Sequence, residues 1–233
     1  MSGPSALIFA KFPEVGAVKT RMVPPLTLAQ AAELHRASLL AVCEIVNQVG
    51  FAAVNVVVTP DERVDDMREI IGDAAAECRP QGEGDLGRRL VRAVDWAFSE
   101  GAGRVLVFGA DSPTLPLSYI RRAVSMLDHH DAVLGPCGDG GYYLLGMNRP
   151  LAKLFDGIDW GGPQVTAQTR RRAADAGLDL ALLPQWYDLD RFEDLQRAGA
   201  NPAGENECAG PNAVRLHRLI QSYVECYRHG RSH

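Results

Sequence analysis

The sequence predicts an α/β sandwich built around a mostly parallel β-sheet. Short runs rich in valine, leucine and isoleucine alternate with longer segments whose apolar residues recur every three or four positions, as expected for strands followed by amphipathic helices. Hydrophobic residues make up 46% of the chain, which is enough for a sizeable core. A length of 233 residues favours one large domain over two.

The predicted strands are apolar runs bounded by turn residues. The run "AAVNVVVT" is the clearest, because it is rich in β-branched valine and ends at Pro60. In chain order, the strands are predicted at residues 5–10, 52–59, 75–79, 104–113 (ending in a turn), 131–136, 141–147 and 178–184.

The predicted helices begin at capping residues and carry one apolar face. Thr27 is a good N-cap for a long helix that is expected to run to Val49 and to stop at Gly50. Acidic residues fill the first turn of the next helix, where the helix dipole favours them. In chain order, the helices are predicted at residues 27–49, 61–72, 87–99, 117–128, 163–176, 191–198 and 213–227.

The character of the chain changes after Gly199. The stretch "AGANPAGENECAGPN" (198–212) has the composition of a linker. We therefore predict one domain at 1–199 and a linker plus C-terminal helix at 200–233. An apolar stripe on that helix, with Leu219 and Ile220 at its centre, is expected to dock on the body, and a partner-binding face is the alternative.

Composition argues against several classes of protein. The formal net charge of −5 and the pI of about 5.7 leave no broad basic field for nucleic acid. Apolar runs are too short to span a bilayer, and the first residues lack a basic secretory signal, so no membrane partner is expected. The five cysteines form no C-x-x-C pair, which favours a reduced, cytoplasmic protein without a zinc site.

The first predicted strand leads into a proline-rich cationic loop, "FAKFPEVGAVKTRMVPP" (9–25). It is not a P-loop, because Val18 stands where the motif needs glycine before lysine. Lys19 and Arg21 lie two residues apart, so in an extended stretch they would point the same way and suit a di- or triphosphate. A solvated loop is the alternative. Lys11 either belongs to the site or is exposed.

A carboxylate follows the central strand in "FGADSPTLP". Asp111 lies just past the strand end, beside Gly109 and before Pro113. Ligands of parallel sheets bind at this edge, and Mg²⁺ commonly takes one or two carboxylates together with phosphate oxygens. The alternative is an Asx-turn in which Asp111 only caps its own loop.

Two later segments carry further aspartates. "GDGG" places Asp139 among glycines, and a tight hairpin is the favoured interpretation of that stretch alone. "WYDLDRFEDL" contains Asp188 and Asp190, which would face alike in an extended chain and could add a metal carboxylate. On local grounds Asp190 is better explained as the cap of the following helix, whereas Asp188 has no obvious structural role.

Six motifs in order resemble a known family. They are "LIFAKFPEVGAVKTRM", "GEGDLGRRL", "FGADSPTLP", "LGPCGDGGYYLLGM", "LFDGIDW" and "LPQWYDLDRFEDL", and they cover about residues 5–197. Together they resemble a bacterial family of glycosyltransferase-A-fold proteins, often labelled glycosyltransferases and in some members linked to arsenosugar biosynthesis. The family is similar to the 2-phospholactate and molybdopterin guanylyltransferases.

The resemblance implies a Rossmann-like three-layer α/β/α sandwich with a mostly parallel mixed sheet, the nucleotide-diphospho-sugar transferase (GT-A) fold. It also implies roles for individual residues. The nucleotide and its phosphates would contact Ala10, Lys11, Gly16, Lys19, Arg21, Asp85 and Gly87. The acceptor would contact Asp139, Gly140, Gly141 and Trp160. Mg²⁺ or Mn²⁺ would bind Asp111 with Asp188 or Asp190, and Asp111, Lys19 and Arg21 would serve catalysis.

These implications favour a nucleotide-dependent transferase, in the first place a metal-dependent glycosyltransferase that uses a nucleotide-diphospho-sugar and a small-molecule acceptor. A guanylyltransferase-like nucleotidyltransferase that uses a nucleoside triphosphate is the alternative, and a non-catalytic nucleotide-binding protein is a third. One departure stands out: many relatives have Trp-Ser-Thr where this chain has Trp160-Gly161-Gly162, so the acceptor is expected to differ.

Overall fold

A seven-stranded sheet lies at the centre of the computed structural model, which describes residues 3–75, 77–200 and 210–229. Its order is β3-β2-β1-β4-β6-β5-β7, and all pairings are parallel except those of β6 with β4 and β5. The predicted mostly parallel mixed sheet is confirmed. The strands are β1 (Pro4–Lys11), β2 (Ala53–Thr59), β3 (Glu77–Pro80), β4 (Arg104–Gly109), β5 (Ala132–Pro136), β6 (Tyr142–Met147) and β7 (Leu180–Leu182).

Helices cover both faces of the sheet, which gives the three layers. Successive strand residues point to opposite faces. Ile8 and Phe108 therefore pack in one hydrophobic cluster with α1, α2 and α4, whereas Leu7 and Val107 pack in another with α3 and α5. The helices are α1 (Leu28–Asn47), α2 (Val64–Ile71), α3 (Leu86–Ser99), α4 (Leu117–Met126), α5 (Val165–Asp175), α6 (Phe192–Ala200) and α7 (Pro211–Arg228).

Local signals explain where these elements begin and end. The Thr27 hydroxyl accepts the Gln30 amide N–H, and the Gln30 side chain in turn accepts the Thr27 N–H, so a capping box starts α1. The strand predicted at 178–184 is shorter as β7, because Pro184 has no N–H to donate and interrupts the ladder. The chain pairs again at Trp186, whose N–H donates to the Pro136 carbonyl at 3.0 Å.

The predicted hairpin at "GDGG" is confirmed. β5 and β6 pair antiparallel with Ala132 opposite Met147, and the glycine-rich turn joins them. Gly140 has φ of +94°, and a Cβ there would lie 1.9 Å from the Pro163 carbonyl oxygen, so the turn requires glycine. Because β6 runs opposite to its neighbours, this turn places Asp139 at the carboxyl edge of the parallel strands.

The C-terminal helix α7 packs on the body of the protein. It shares a third hydrophobic cluster with α1, α6 and the loop after β1, to which it contributes Leu216, Ile220, Tyr223 and Val224. The Glu44 carboxylate of α1 accepts the Asn212 and Ala213 amide N–H groups at 3.2 and 2.9 Å, and so caps α7.

Most of the predicted linker, residues 201–209, lies outside the described residues, and so does Cys208. The other four cysteines are free thiols. Among the described residues, no helix is both long enough and apolar enough to cross a bilayer.

Candidate functional site

The backbone of Leu189 joins two loops at the carboxyl edge of the sheet. Its N–H donates to the carbonyl oxygen of Asp111 at 2.8 Å, and its own carbonyl accepts the Lys19 ammonium. The loop after β1, the turn after β4 and the segment after β7 therefore meet at one point. This is the edge at which ligands bind in parallel sheets, as the sequence predicts for Lys19 and Asp111.

Lys19 is held in a conformation that is unusual for its residue type. Its φ of 50° lies in the left-handed region, at a cost of about 1 kcal/mol for a residue with a Cβ. Its side chain is only 2% exposed, and the ammonium donates to the Asp111 carboxylate and to the Leu189 carbonyl. A buried cation with two oxygen partners is typical of a binding or catalytic site rather than of a solvated loop.

The surroundings of Asp111 lower the pKa of its carboxyl group. Desolvation alone would raise the pKa of Asp111, but the neighbouring Lys19 ammonium and His35 outweigh it and hold that pKa well below the usual range. The carboxylate is 47% exposed, so the opposite side remains open to solvent. An ionised, accessible carboxylate is what a cation-binding role requires.

His35 of α1 is a site residue that the sequence reasoning missed. The side chain is buried, and Nε2 lies 3.0 Å from the Lys11 carbonyl oxygen, so Nε2 carries the hydrogen. Nδ1 lies 3.8 Å from the Asp111 carboxylate and has no hydrogen-bond partner among the described residues. A usable signal was present, because a histidine sits beside Leu34 on a buried face of α1 whose only other polar member is Ser38.

A second group of side chains surrounds Asp188. Ligand atoms of Cys137, Asp139 and Asp188 lie within 4.8 Å of one another, and the Ser112 hydroxyl donates to Asp188. Burial, and then the negative charges of Asp111 and Asp139, raise the pKa of Asp188. Burial, and then the charges of Asp188, Asp139 and Asp111, raise the pKa of the Cys137 thiol. Cys137 lies in no C-x-x-C pair, so the sequence carries no signal that would place it here.

The segment that carries Lys19 and Arg21 is not extended. Residues Thr20–Met22 form a short 3₁₀ turn, so the predicted extended stretch is wrong. Both side chains still reach one segment, because Lys19 contacts the Leu189 carbonyl and Arg21 contacts the next residue. The Arg21 guanidinium donates to the Asp190 carboxylate at 2.6 Å. The preferred capping role of Asp190 is also wrong, because Asp194 accepts the Asp190 and Arg191 amide N–H groups.

Asp190 therefore stands apart from the other predicted metal carboxylates. Its described side-chain contact is the exposed ion pair with Arg21, whereas Asp188 faces Asp139. The carboxylates that the fold brings close to one another are those of Asp111, Asp139 and Asp188.

Three predicted nucleotide-binding residues lie in or next to the loop after β1. Ala10 is buried, and its carbonyl accepts the Gln81 side-chain amide at 3.3 Å. Lys11 is exposed and donates to the Ala17 carbonyl at 3.2 Å. Gly16 has φ of +85°, which a turn at the loop tip requires. Lys11 is thus exposed, and its ammonium is hydrogen-bonded to the loop itself.

The other two predicted nucleotide-binding residues have structural roles. Asp85 is the N-cap of α3, and its carboxylate accepts the Arg88 amide N–H at 2.9 Å. Gly87 allows close packing, because a Cβ there would lie 2.7 Å from Trp160 Nε1 and 3.1 Å from the Phe155 carbonyl oxygen. Their predicted contact with the base or ribose stays a prediction.

A cavity of about 440 Å³ opens beside these carboxylates. It lies between the sheet, α3 and the segment before α5, and it is of the size that commonly holds a small molecule. Three of the predicted acceptor residues, Asp139, Gly141 and Trp160, line it. Gly140 supports the adjacent turn instead. The walls come from Phe9, Leu86, Leu90, Val107, Tyr142, Tyr143 and Val165, and Arg21 and Arg191 lie at the edge.

Comparison with known proteins gives one family match. The family DUF2064, described as "uncharacterized protein conserved in bacteria", matches residues 42–162. No curated protein matches the sequence.

Several solved structures resemble the chain. A protein of Desulfovibrio desulfuricans G20, with the provisional name nucleotide-diphospho-sugar transferase, is 30% identical over 96% of this chain and 99% of its own, with a TM-score of 0.83. A nucleotidyl transferase from Methanothermobacter thermautotrophicus is 16% identical, with coverages of 84% and 96% and a TM-score of 0.59. A Mycobacterium tuberculosis H37Rv protein, solved as a manganese complex, is 13% identical, with coverages of 84% and 97% and a TM-score of 0.51. These structures confirm the predicted fold.

Proposed function

The chain belongs to the DUF2064 family and has the fold of nucleotide-diphospho-sugar transferases and nucleotidyltransferases, and from this premise we propose that it is a metal-dependent glycosyltransferase with a nucleotide-diphospho-sugar donor. The enzyme class, transferase, agrees with the names of its structural relatives. The link to arsenosugar biosynthesis stays a prediction.

One observation carries the proposal. The buried Lys19, the half-exposed Asp111 and the pair Asp139 and Asp188 meet at the carboxyl edge of the sheet, and a cavity opens next to them. A diphosphate leaving group needs cations, and a transferred group needs a neighbouring space for its acceptor. This arrangement offers both on one face.

The donor set fits a hard divalent cation. Mg²⁺ and Mn²⁺ prefer carboxylate oxygens, which Asp139 and Asp188 supply beside the Cys137 thiol, and Asp111 lies near enough to act on the pKa of Asp188. Burial raises the pKa of Cys137, so that thiol stays protonated and leaves the carboxylates as the ligands. The raised pKa of Asp188 reports burial together with the crowding of negative charge, which a cation would relieve. When bound, the metal would neutralise the charge that develops on the departing diphosphate.

The protein's own cations would hold the donor. The Lys19 ammonium is buried against the Leu189 carbonyl and the Asp111 carboxylate, so it would add positive charge to the phosphate site and hold Asp111 in place. Arg21 is 61% exposed and could exchange Asp190 for a bidentate contact with phosphate. During transfer, the acceptor's nucleophile would bond to the anomeric carbon and release its proton to solvent, and the nucleoside diphosphate would leave with the electron pair of the broken C–O bond.

Thermal shift with a nucleotide panel tests the proposal. Nucleotide sugars with Mn²⁺ should raise the melting temperature of the wild type, and Asp111→Asn should abolish the metal-dependent part of that shift and lower turnover by about a hundredfold or more. Full metal-dependent turnover in Asp111→Asn, with a native circular dichroism spectrum, would contradict the assignment.

Nucleotidyl transfer is the second candidate. Lys19, Arg21 and Arg191 give the edge three cations, which suits the higher charge of a triphosphate. Stabilisation by nucleoside triphosphates but not by nucleotide sugars, with the same metal present, would reverse the preference for glycosyl transfer.

A further inference from the structure

The cavity beside the carboxylates is chemically divided. Its buried walls are apolar, with Leu90 from α3 and Val107 from β4, whereas its charged side chains, Arg21, Asp139 and Arg191, are exposed. A ligand in this space would therefore meet hydrocarbon inside and charge at the edge.

Neither of the two tyrosines in the wall presents its hydroxyl to a ligand. The Tyr143 hydroxyl donates to the Pro184 carbonyl at 2.9 Å. The Tyr142 hydroxyl is enclosed by protein atoms and has no hydrogen-bond partner in the described part of the chain, so a ligand in the cavity does not reach it. The aromatic walls therefore act as apolar surface.

The backbone of Gly141 in the wall is also committed to internal hydrogen bonds. The Gly141 N–H donates to Asp139, and the Gly141 carbonyl accepts the Cys137 N–H and the Thr166 hydroxyl. Gly161 and Gly162 complete the wall without a side-chain hydroxyl, and a Cβ at Gly161 would meet only open space.

These walls disfavour a sugar in the cavity. Each hydroxyl that is taken out of water without a hydrogen-bond partner costs free energy, whereas an apolar ring or chain gains from the same burial. An apolar body therefore fits the buried part far better than a carbohydrate does.

The exposed edge favours an anion. Arg21 already neutralises Asp190, but Arg191 has no ion-pair partner among residues 3–75, 77–200 and 210–229. An anionic group placed there would pair with Arg191, which lines the same cavity as Asp139.

We propose that the acceptor is an amphiphile, with an aromatic or hydrocarbon body in the cavity and an anionic head at Arg191. This inference rests on the proposed function. A simple sugar phosphate shares the head but lacks the body. The inference therefore separates two acceptor classes that the fold alone does not distinguish.

Calorimetric titration of the full chain with two matched probes tests this. 1-Naphthyl phosphate should bind at one site about tenfold or more tightly than ribose 5-phosphate, because only the naphthyl ring gains from burial. Comparable affinity of the two probes, or no detectable binding of 1-naphthyl phosphate, overturns the proposal.

Variants locate the binding. Leu86→Trp should fill the cavity and weaken 1-naphthyl phosphate about tenfold, whereas Leu182→Trp should not. The two leucines are 39% and 40% exposed, so both variants are expected to fold, and only Leu86 lines the cavity. Arg191→Gln should weaken 1-naphthyl phosphate but not 1-naphthol. If Leu86→Trp binds 1-naphthyl phosphate as tightly as the wild type does, the apolar body does not lie in the cavity. If Arg191→Gln does so, the anionic head does not pair with Arg191.

The same samples separate this inference from the proposed function. Nucleotide sugars and nucleoside triphosphates with Mn²⁺ are titrated in parallel. Binding of 1-naphthyl phosphate without binding of any nucleotide would support the amphiphile site and contradict the transferase. Binding of nucleotides, with equal affinity for the two probes, would support the transferase and contradict the amphiphile site.

Discussion

At the scale of single residues, the two partners of the Lys19–Asp111 ion pair differ in their exposure to solvent. The Lys19 side chain is 2% exposed and that of Asp111 is 47% exposed, so water can solvate the carboxylate but not the ammonium. Removal of either partner therefore leaves a different defect. The difference can be measured, because a buried unpaired charge is costly and a solvated one is not.

We expect Asp111→Ala to lower the free energy of unfolding by about 2–4 kcal/mol, because it leaves the buried Lys19 ammonium with the Leu189 carbonyl in place of its two oxygen partners. Lys19→Met should lower it by about 1 kcal/mol, because it leaves no buried charge. The double variant should cost less than the two single changes together. Urea unfolding monitored by circular dichroism checks these values. Equal costs for the two single variants would contradict the described burial.

Asp111 and Asp188 should give opposite pH dependences. The pKa of Asp111 is lowered in the folded state, so its contribution to stability is present above the ordinary carboxyl value of 3.8 and is lost as the pH falls through the depressed pKa. The pKa of Asp188 is raised, so the folded state loses stability as the pH rises from 3.8 through that higher pKa.

Urea unfolding in EDTA at pH 3 to 7 checks this opposition. The stability deficit of Asp111→Asn relative to wild type should shrink below pH 3.8, and the relative stability of Asp188→Asn should grow above it. Parallel pH profiles for the two variants would contradict the assignment.

The sequence predicts only part of the site. Asp111 and Lys19 follow directly from their position after strands, because topology brings strand ends together. The contact of Asp190 with Arg21 depends on a 3₁₀ turn at Thr20–Met22, and no strong local signal predicts that turn. Cys137 reaches Asp188 only through hairpin register, which a single sequence does not reveal.

At the scale of elements, Gly87 determines how α3 packs against Trp160. A Cβ at Gly87 would approach both the indole nitrogen and the backbone oxygen of Phe155, so at least one of them must move. Trp160 is also a wall of the cavity. A change on α3 therefore alters the cavity without touching its charged edge.

We expect Gly87→Ala to lower the free energy of unfolding by about 1–3 kcal/mol through overpacking, and to shift the fluorescence of Trp160. Gly109→Ala is the matched control for stability, because a Cβ there meets nothing within 4 Å. Urea unfolding and emission spectra, with Trp160→Phe as the spectral reference, give both readouts. Equal stability of the two alanine variants would show that Trp160 does not pack as described.

Strands and helices were predicted well where the local chemistry is strong. Valine-rich β2, the capped start of α1 and the glycine-rich turn between β5 and β6 each carry their own signal. The length of β7 was overestimated, because "LDLALLP" is mostly apolar, yet only three of its residues form the strand. Strand order could not be derived from periodicity, since it depends on contacts between distant segments.

At the scale of the whole molecule, α7 completes a core rather than adding a separate body. Four of its side chains are buried against α1 and α6. Ending the chain after Ala200 would expose that surface. We expect the truncated protein to lose about 5 kcal/mol or more, a large share of the stability of an ordinary domain.

Differential scanning calorimetry and sedimentation velocity check the truncation, and a variant that lacks only residues 230–233 is the control. A truncated chain that unfolds at the wild-type temperature would show that α7 is dispensable for the fold. If that chain also loses a self-association that the wild type shows, α7 is instead an assembly surface.

The third hydrophobic cluster has a consequence for the loop after β1. Met22, next to Arg21, is fully buried in the same cluster as Ile220 and Tyr223. The loop that carries the cations and the last helix therefore share one packing unit, although about two hundred residues separate them in the chain. An anion that orders this loop should slow amide hydrogen exchange in α7, far from any atom it contacts.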